Sequence, residues 1–362
     1  MNILWLCNII PPVIAKALNL EASNKEGWIS GLCDMIVKNN EKNHISLSIA
    51  SPVNARMITE GDGFLKEEIP AFNGSLTFYG FREDTGHPEN YDPVLDGSMR
   101  EIIRDCKPDL VHCFGTEYPH TLAMCRSFPQ KDHILIHIQG LCSVYANAYF
   151  ANLPEKIIRS ATLRDRLKKD SLLKQQQKFV KRGEHEIEAI KLAGNIAGRT
   201  GWDHYYTQKW NPSANYFEMR ETLRPDFYQD AWQKDKCIPH TIFLSQGDYP
   251  VKGLHYMLTA MPEILREFPD TKVYVAGNSI VGYRTLKQKL KISGYGKFLK
   301  NLIHQNGLED KIIFLGKLTA AEMKERYLKS HLYVCCSSIE NSPNSLGEAM
   351  MLGMPCVAAD VG

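Results

Sequence analysis

Short apolar runs rich in β-formers alternate along the chain with longer stretches whose apolar positions recur at helical spacing. Residues 2–7 (NILWLC), 45–50, 76–81, 110–115 and 134–140 read as strands, with helical spacing over 94–106 between two of them. A second series follows, with strands at 241–247, 272–278, 311–317, 332–338 and 355–360 and helices at 253–267, 283–293, 319–329 and about 344–353. Strand–helix alternation of this kind predicts βα units and parallel sheets, here in two blocks. We place an N-terminal domain at 1–227, a C-terminal domain at 238–362 and the linker near 228–237, inside a Trp/Asp/Lys-rich segment. Two doubly wound domains put ligand sites at the carboxyl ends of their strands, facing a cleft.

Composition narrows the class. A chain of 362 residues suits two cores better than one. The formal net charge is +2, so there is no global field suited to nucleic acid, and none is expected as a partner. The ten cysteines include no C-x-x-C pair, which argues against a disulfide framework or a zinc site and for a reducing cytoplasm. The start, MNILWLCNII, lacks a basic n-region and an A-x-A site. No apolar run approaches the roughly 18 residues that span a bilayer. A cytoplasmic protein, with peripheral contact at the inner face of a membrane, is the expectation.

One segment breaks the alternation. Residues 155–191 are basic and helical in pattern, and between Lys156 and Arg182 ten Lys or Arg stand against only Asp165 and Asp170. A solvated helical face explains this. So does a patch that attracts an anionic leaflet, which supplies the expected membrane contact through 156–182.

The stretch ENSPNSLGEAM (340–350) carries the chemistry. Glu340 falls in the loop at the carboxyl end of a strand, and Glu348 about one turn into the following helix. The amides of Asn344, Ser345 and Leu346 lie at that helix's N-terminus, where free N–H groups and the helix dipole favour an anion. A carboxylate beside an anion site repels phosphate, so its fitting partner is a pair of hydroxyls. The pattern reads as a nucleotide-sugar site: Glu348 on ribose hydroxyls, the helix N-terminus on diphosphate, Glu340 on sugar hydroxyls.

The E-x(seven)-E spacing, with the sequence EAMMLGMPCVAADVG that begins at its second glutamate, resembles the C-terminal signature of retaining GT-B glycosyltransferases of family four. The segments EGWISGL (26–32), KPDLVHCFGTEYPHT (107–121), HILIHIQGL (133–141) and SQGDYPVKGLHYM (245–257) extend the resemblance over nearly the whole chain. It implies two Rossmann-like domains and transfer of a sugar, with retention, from a nucleotide-diphosphate-sugar to a glycan or lipid-linked acceptor in bacterial surface polysaccharide or glycolipid synthesis. The donor is a substrate, and no cofactor is implied. By the same resemblance Lys252 contacts the donor diphosphate, Gly27 admits the phosphates or sugar close to the backbone, and Gln139 approaches the donor sugar. Many members carry an arginine where this chain has Gly247. Ser245 and Gln246 then stand as donor-binding groups, with Arg199 or Arg224 as a replacement cation. The H-x-H pattern of some members has become His112 and Phe114, and Gln139 stands where a strand-end histidine is common. His112 and His137 read equally as satisfied core histidines. Thr116 and Glu117 are expected to point toward the cleft, with Glu117 either orienting the acceptor or serving as a rim charge.

No metal is expected. His133 and His137 share a strand face, but at about 3.3 Å per residue their Cβ atoms stand roughly 13 Å apart. A D-x-D motif is also missing. Two other readings stay open: a nucleotide-sugar epimerase of the same fold, and a nucleotide-sugar-binding subunit without turnover. Because members of the family continue past CVAADVG with a further strand and helices, the chain also reads as truncated, lacking roughly the last one-seventh of the fold.

Overall fold

The computed structural model describes residues 1–20, 27–39, 44–59, 61–71, 74–281 and 291–362. The expected helix at 283–293 and the first residue of the EGWISGL segment fall largely or wholly outside these.

Two compact units emerge, Met1–Val144 with Lys178–Thr222, and Tyr145–Gln177 with Leu223–Gly362. In the first, strands β1 (Asn2–Cys7), β2 (Ser46–Val53), β3 (Leu65–Ala71), β4 (Gly74–Arg82), β5 (Leu110–Phe114), β6 (Ile134–His137), β7 (Asn195–Gly198) and β8 (Asn215–Glu218) form one sheet in the order β3-β4-β2-β1-β5-β6-β7-β8. All neighbours are parallel except β3 and β4. Its core sets Trp5 edge-on to Phe114, with ring centroids 4.8 Å apart, among Ile49, Phe78 and Leu76. In the second, β9 (Ile238–Leu244), β10 (Lys272–Ala276), β11 (Ile312–Gly316), β12 (Ser330–Cys335) and β13 (Cys356–Ala358) form a parallel sheet in the order β11-β10-β9-β12-β13. Phe243, Tyr327, Tyr333 and Phe227 fill the core beside it.

The expected strands are present, several of them shorter than their apolar runs. β6 stops at His137 and β9 at Leu244, so Gln139, Ser245 and Gln246 lie just beyond strand carboxyl ends. The helix Val94–Cys106 has its expected bounds. Strands β3, β7 and β8 escape the pattern because β3 reads LKEEIPA, with few apolar positions, and the other two are only four residues long. The helix Gly294–Gln305 was also unexpected, since it opens on Gly-Tyr-Gly and is started by Ser293, whose side chain accepts from the Gly296 amide.

The placement of residues 145–177 differs from the expected boundaries, which put them in the N-terminal domain. They group with the second unit through specific bonds. The His255 ring bonds the Ala151 carbonyl at 2.8 Å, the Thr162 hydroxyl donates to the Ile292 carbonyl at 2.8 Å, and the buried Asp165 carboxylate accepts from the Gly294 amide at 2.8 Å. The basic segment forms three helices, Glu155–Ile158, Leu163–Leu167 and Leu172–Leu192. Thr162 and Asp165 form a capping box that starts the second. Among the described residues, no helix is long and apolar enough to cross a membrane.

Candidate donor site

In the second unit, the loops after β9 and β12 bring most of the expected donor residues together. β12 ends at Cys335, and the loop that follows carries Ser337 and Glu340 before the helix Asn344–Met351. The turn Pro250–Lys252 precedes the helix Leu254–Glu267. Between them Gly253 adopts φ 71°, and a Cβ there would lie 1.8 Å from the Cys336 carbonyl oxygen. Only glycine lets these two loops pack this closely. The result is a direct contact: Lys252 Nζ donates to Glu340 Oε1 at 2.6 Å, and the Ser337 hydroxyl donates to the same oxygen at 2.7 Å. Burial alone would lower the Lys252 pKa. Tyr249 and Glu340 more than offset this and raise it, so the ammonium is held charged.

A second chain of bonds ties the β9 loop to the helix N-terminus. The hydroxyls of Ser245 and Tyr333 are 3.0 Å apart, Tyr333 donates to Ser345 Oγ at 2.9 Å, and Tyr327 donates to the Ser345 carbonyl at 2.8 Å. The first intrahelical donors are Leu346 and Gly347, both to Pro343. Leu346 was expected among the free amides, and its N–H is instead spent in the first turn. The amides of Asn344 and Ser345 come before it. Gln246 lies beside Gly277. The glycine at 247 has a local reason: a Cβ would meet Leu254 Cδ2 at 2.7 Å and Val275 Cγ1 at 3.0 Å, so an arginine has no room there.

Glu348 is not open to solvent. Arg224 grips it with a two-pronged fork, Nε to Oε1 at 2.7 Å and Nη2 to Oε2 at 2.8 Å, while the guanidinium lies over the Phe227 ring. Burial raises the Glu348 pKa and the arginine pulls it back. Arg224, one of the two candidate replacement cations, lies in this unit, seated on the carboxylate expected to take the ribose.

The N-domain candidates belong to a different set of contacts. Gln139 Nε2 donates to Glu221 Oε1 at 2.8 Å, and the Arg199 guanidinium pairs with the same carboxylate. Glu221 is buried and was missed by the sequence reading; it lies in the loop after β8 with no motif to mark it. Arg199, the other expected cation, is thus engaged within the first unit. His112 and His137 stack at 5.9 Å, and burial lowers both to a pKa of about 3, so both rings are neutral. Phe114 stacks on His112 at 4.0 Å as a core residue. Gly27 opens the helix Gly27–Lys38.

Thr116, expected to point toward the cleft, is 1% exposed, and its hydroxyl donates to Glu186 Oε2 at 2.7 Å. Glu186, on the helix Leu172–Leu192, also accepts from the Cys142 amide at 2.9 Å and from the Ser143 amide and hydroxyl at 3.0 and 2.6 Å. It thereby caps the helix Cys142–Ala148, close behind Gln139 in sequence. A Cβ on Gly183 would meet Ser143 Cα at 2.5 Å, so the two helices approach through that glycine. Burial pushes the Glu186 pKa up to about 7 against the pull of its four donors. Glu117 is half-buried; burial raises its pKa, and its carbonyl accepts from Arg182 Nε at 2.9 Å.

Comparison with known proteins gives a family match that falls within the second unit. Residues 232–362 match the family model described as Glycosyl transferases group 1. An uncharacterized glycosyltransferase of Methanocaldococcus jannaschii is 30% identical over 111 residues, which is 31% of this chain and 25% of that protein. The aligned stretch thus spans about a quarter of the relative's length. Among solved structures, sucrose-phosphate synthase from Thermosynechococcus elongatus matches with a TM-score of 0.63 at 13% identity, covering 100% of this chain and 82% of that one. A trehalose-6-phosphate structure from E. coli, bound with UDP-2-fluoro glucose, matches at 0.60 and 9% identity, with 99% and 84% covered. WaaG, a glycosyltransferase involved in lipopolysaccharide biosynthesis, matches at 0.54 and 12% identity, with 100% and 81% covered. At such identities the likeness is one of fold: the chain has the two-domain GT-B architecture of glycosyltransferases, and residues 232–362 match the group 1 glycosyl transferase family.

Proposed function

We propose that the chain is a metal-independent, retaining glycosyltransferase of the hexosyltransferase type. It moves a sugar from a nucleotide-diphosphate-sugar to a hydroxyl of a glycan or lipid-linked acceptor, in the cytoplasm, within bacterial surface polysaccharide or glycolipid synthesis. The observation that carries this reading is the Lys252–Glu340 contact at 2.6 Å, beside the Asn344–Met351 helix N-terminus and within the family-matched residues.

In this reading the acceptor oxygen attacks the anomeric carbon on the face the diphosphate leaves. The bond from that carbon to the diphosphate oxygen breaks, the new glycosidic bond forms on the same face, and the acceptor proton passes to a departing phosphate oxygen. No protein base is needed. Lys252 and the Asn344 and Ser345 amides stabilise charge as it builds on the leaving group. Glu340 takes sugar hydroxyls and holds Lys252 in place. Glu348 takes the ribose diol once Arg224 releases it, and Arg224 is then the cation that compensates for Gly247. Gln139, expected at the donor sugar, is held by Glu221 within the first unit and has no assigned step in this scheme.

The absence of a cation at Gly247, where a side chain has no room, and of a second histidine at Phe114, a core residue, favours a second reading, a nucleotide-sugar-binding subunit without turnover. One experiment separates them. Thermal shifts with UDP-, GDP-, ADP- and TDP-sugars identify a stabilising donor by mass action, and release of free nucleotide diphosphate from that donor is then followed. The expected result is a stabilising donor and slow hydrolysis that Lys252→Ala abolishes. Stabilisation without hydrolysis assigns a binding subunit, and a new sugar isomer formed from donor alone assigns an epimerase.

A further inference from the structure

The basic segment resolves into a charge-sorted surface. Both acids between Lys156 and Arg182 turn away from solvent or pair within the segment. Asp165 is 2% exposed, accepting from the Gly294 amide at 2.8 Å and the Thr162 amide at 3.1 Å. Arg164 Nη1 then bridges Asp165 at 3.0 Å and Asp170 at 2.8 Å. One arginine therefore serves both acids, while Arg166, Lys168 and Lys169 stay exposed on the same short stretch. Lys156 and Lys174 flank it, also exposed, and Arg159 pairs with Glu155.

Two leucines stand among these cations. Leu163 is 57% exposed and Leu167 is 77% exposed, four residues apart on the same face of the Leu163–Leu167 helix. A lone exposed leucine needs no explanation. A pair at i and i+4, rimmed by lysine and arginine on a helix pinned from behind by its buried aspartate, has the make-up of an interfacial anchor.

We propose that this face, Leu163 and Leu167 with Arg166, Lys168 and Lys169, docks the protein on an anionic lipid bilayer, with the leucines entering the headgroup boundary. Charge complementarity selects the partner, and the leucines distinguish a bilayer from a dissolved polyanion. The inference rests on the proposed function only in giving the contact a purpose, access to a lipid-linked acceptor. Binding is measured with no sugar donor present, so its failure and the failure of glycosyl transfer are separate results.

The test is co-sedimentation of the full chain with vesicles of phosphatidylcholine alone or mixed with phosphatidylglycerol, across a salt series. Wild type should bind only the anionic vesicles, and less as salt shortens the Debye length. Each basic residue neutralised in Arg166→Gln, Lys168→Gln and Lys169→Gln should weaken partitioning about fivefold. The double variant Leu163→Ala/Leu167→Ala should weaken it about tenfold or more at constant charge. These side chains are on the surface, so the fold is retained, and Lys234→Gln/Lys236→Gln serves as a control that should bind like wild type. Three results would overturn the proposal: no binding at low salt, binding that both sets of variants leave unchanged, or loss with the basic set alone. The last would mark a plain polyanion site.

Discussion

Glu186 offers the sharpest physical test. It is fully buried, and its carboxylate holds Thr116, Cys142 and Ser143 in one network. Burial raises its pKa from 4.5 to about 7. In the unfolded chain it titrates near the ordinary value, so between about pH 4.5 and about pH 7 the folded state binds more protons. Its contribution to stability is therefore fully present below about pH 4.5 and is lost as pH rises through about 7. At 1.36 kcal/mol per pH unit, the loss is roughly 3 kcal/mol. Glu186→Gln removes the titration and adds a pH-independent penalty. Whichever way the amide is turned, its NH₂ faces the backbone N–H of Cys142 or Ser143, donor against donor, at a cost of about 1–3 kcal/mol. Urea unfolding of both proteins from about pH 5 to about pH 8 separates the two effects. The wild-type advantage should shrink with rising pH by most of that roughly 3 kcal/mol, and hydrogen exchange at the Cys142 and Ser143 amides should quicken over the same range. A wild-type-minus-variant difference that stays flat across the range would refute the reasoning and show a carboxylate ionised throughout by its four donors.

Other substitutions test the site and its scaffold. Lys252→Ala should cut turnover by roughly a hundredfold or more, about 3 kcal/mol of transition-state stabilisation, while nucleoside binding changes little; wild-type turnover would misplace the diphosphate. Calorimetry with sugar-free nucleotide diphosphate should show weakened binding for Glu348→Gln and nearly intact binding for Glu340→Gln, and equal losses would contradict the division between ribose and sugar. Gly253→Ala should destabilise the second unit by at least about 2 kcal/mol, because a left-handed backbone is forced on a residue with a Cβ that also strikes the Cys336 carbonyl. A melting temperature within a degree or so of wild type would show that the loop yields.

The residue pattern by itself determined the two parallel-sheet blocks, because alternating apolar runs and amphipathic stretches are a local property that βα units require. It also placed Lys252, Glu340 and Glu348 beyond strand ends, since loops at carboxyl edges follow from where the apolar runs stop. What it left undecided depends on partners distant in sequence. Arg224 reaches Glu348 across 124 positions, Thr116 reaches Glu186 across 70, and Gln139 reaches Glu221 across 82. Side-chain pairing over such separations has no periodic signature. Residues 145–177 join the second unit for the same reason: their basic, helical pattern says nothing of Asp165 meeting the Gly294 amide. The glycine at 247 reads as a lost arginine until Leu254 and Val275 are seen to fill the space that a side chain would need. Local pattern decides which elements form and which residues stand at their ends. Tertiary packing decides which of those residues find each other, because close packing leaves each buried polar group one set of partners and each tight crossing room for glycine alone.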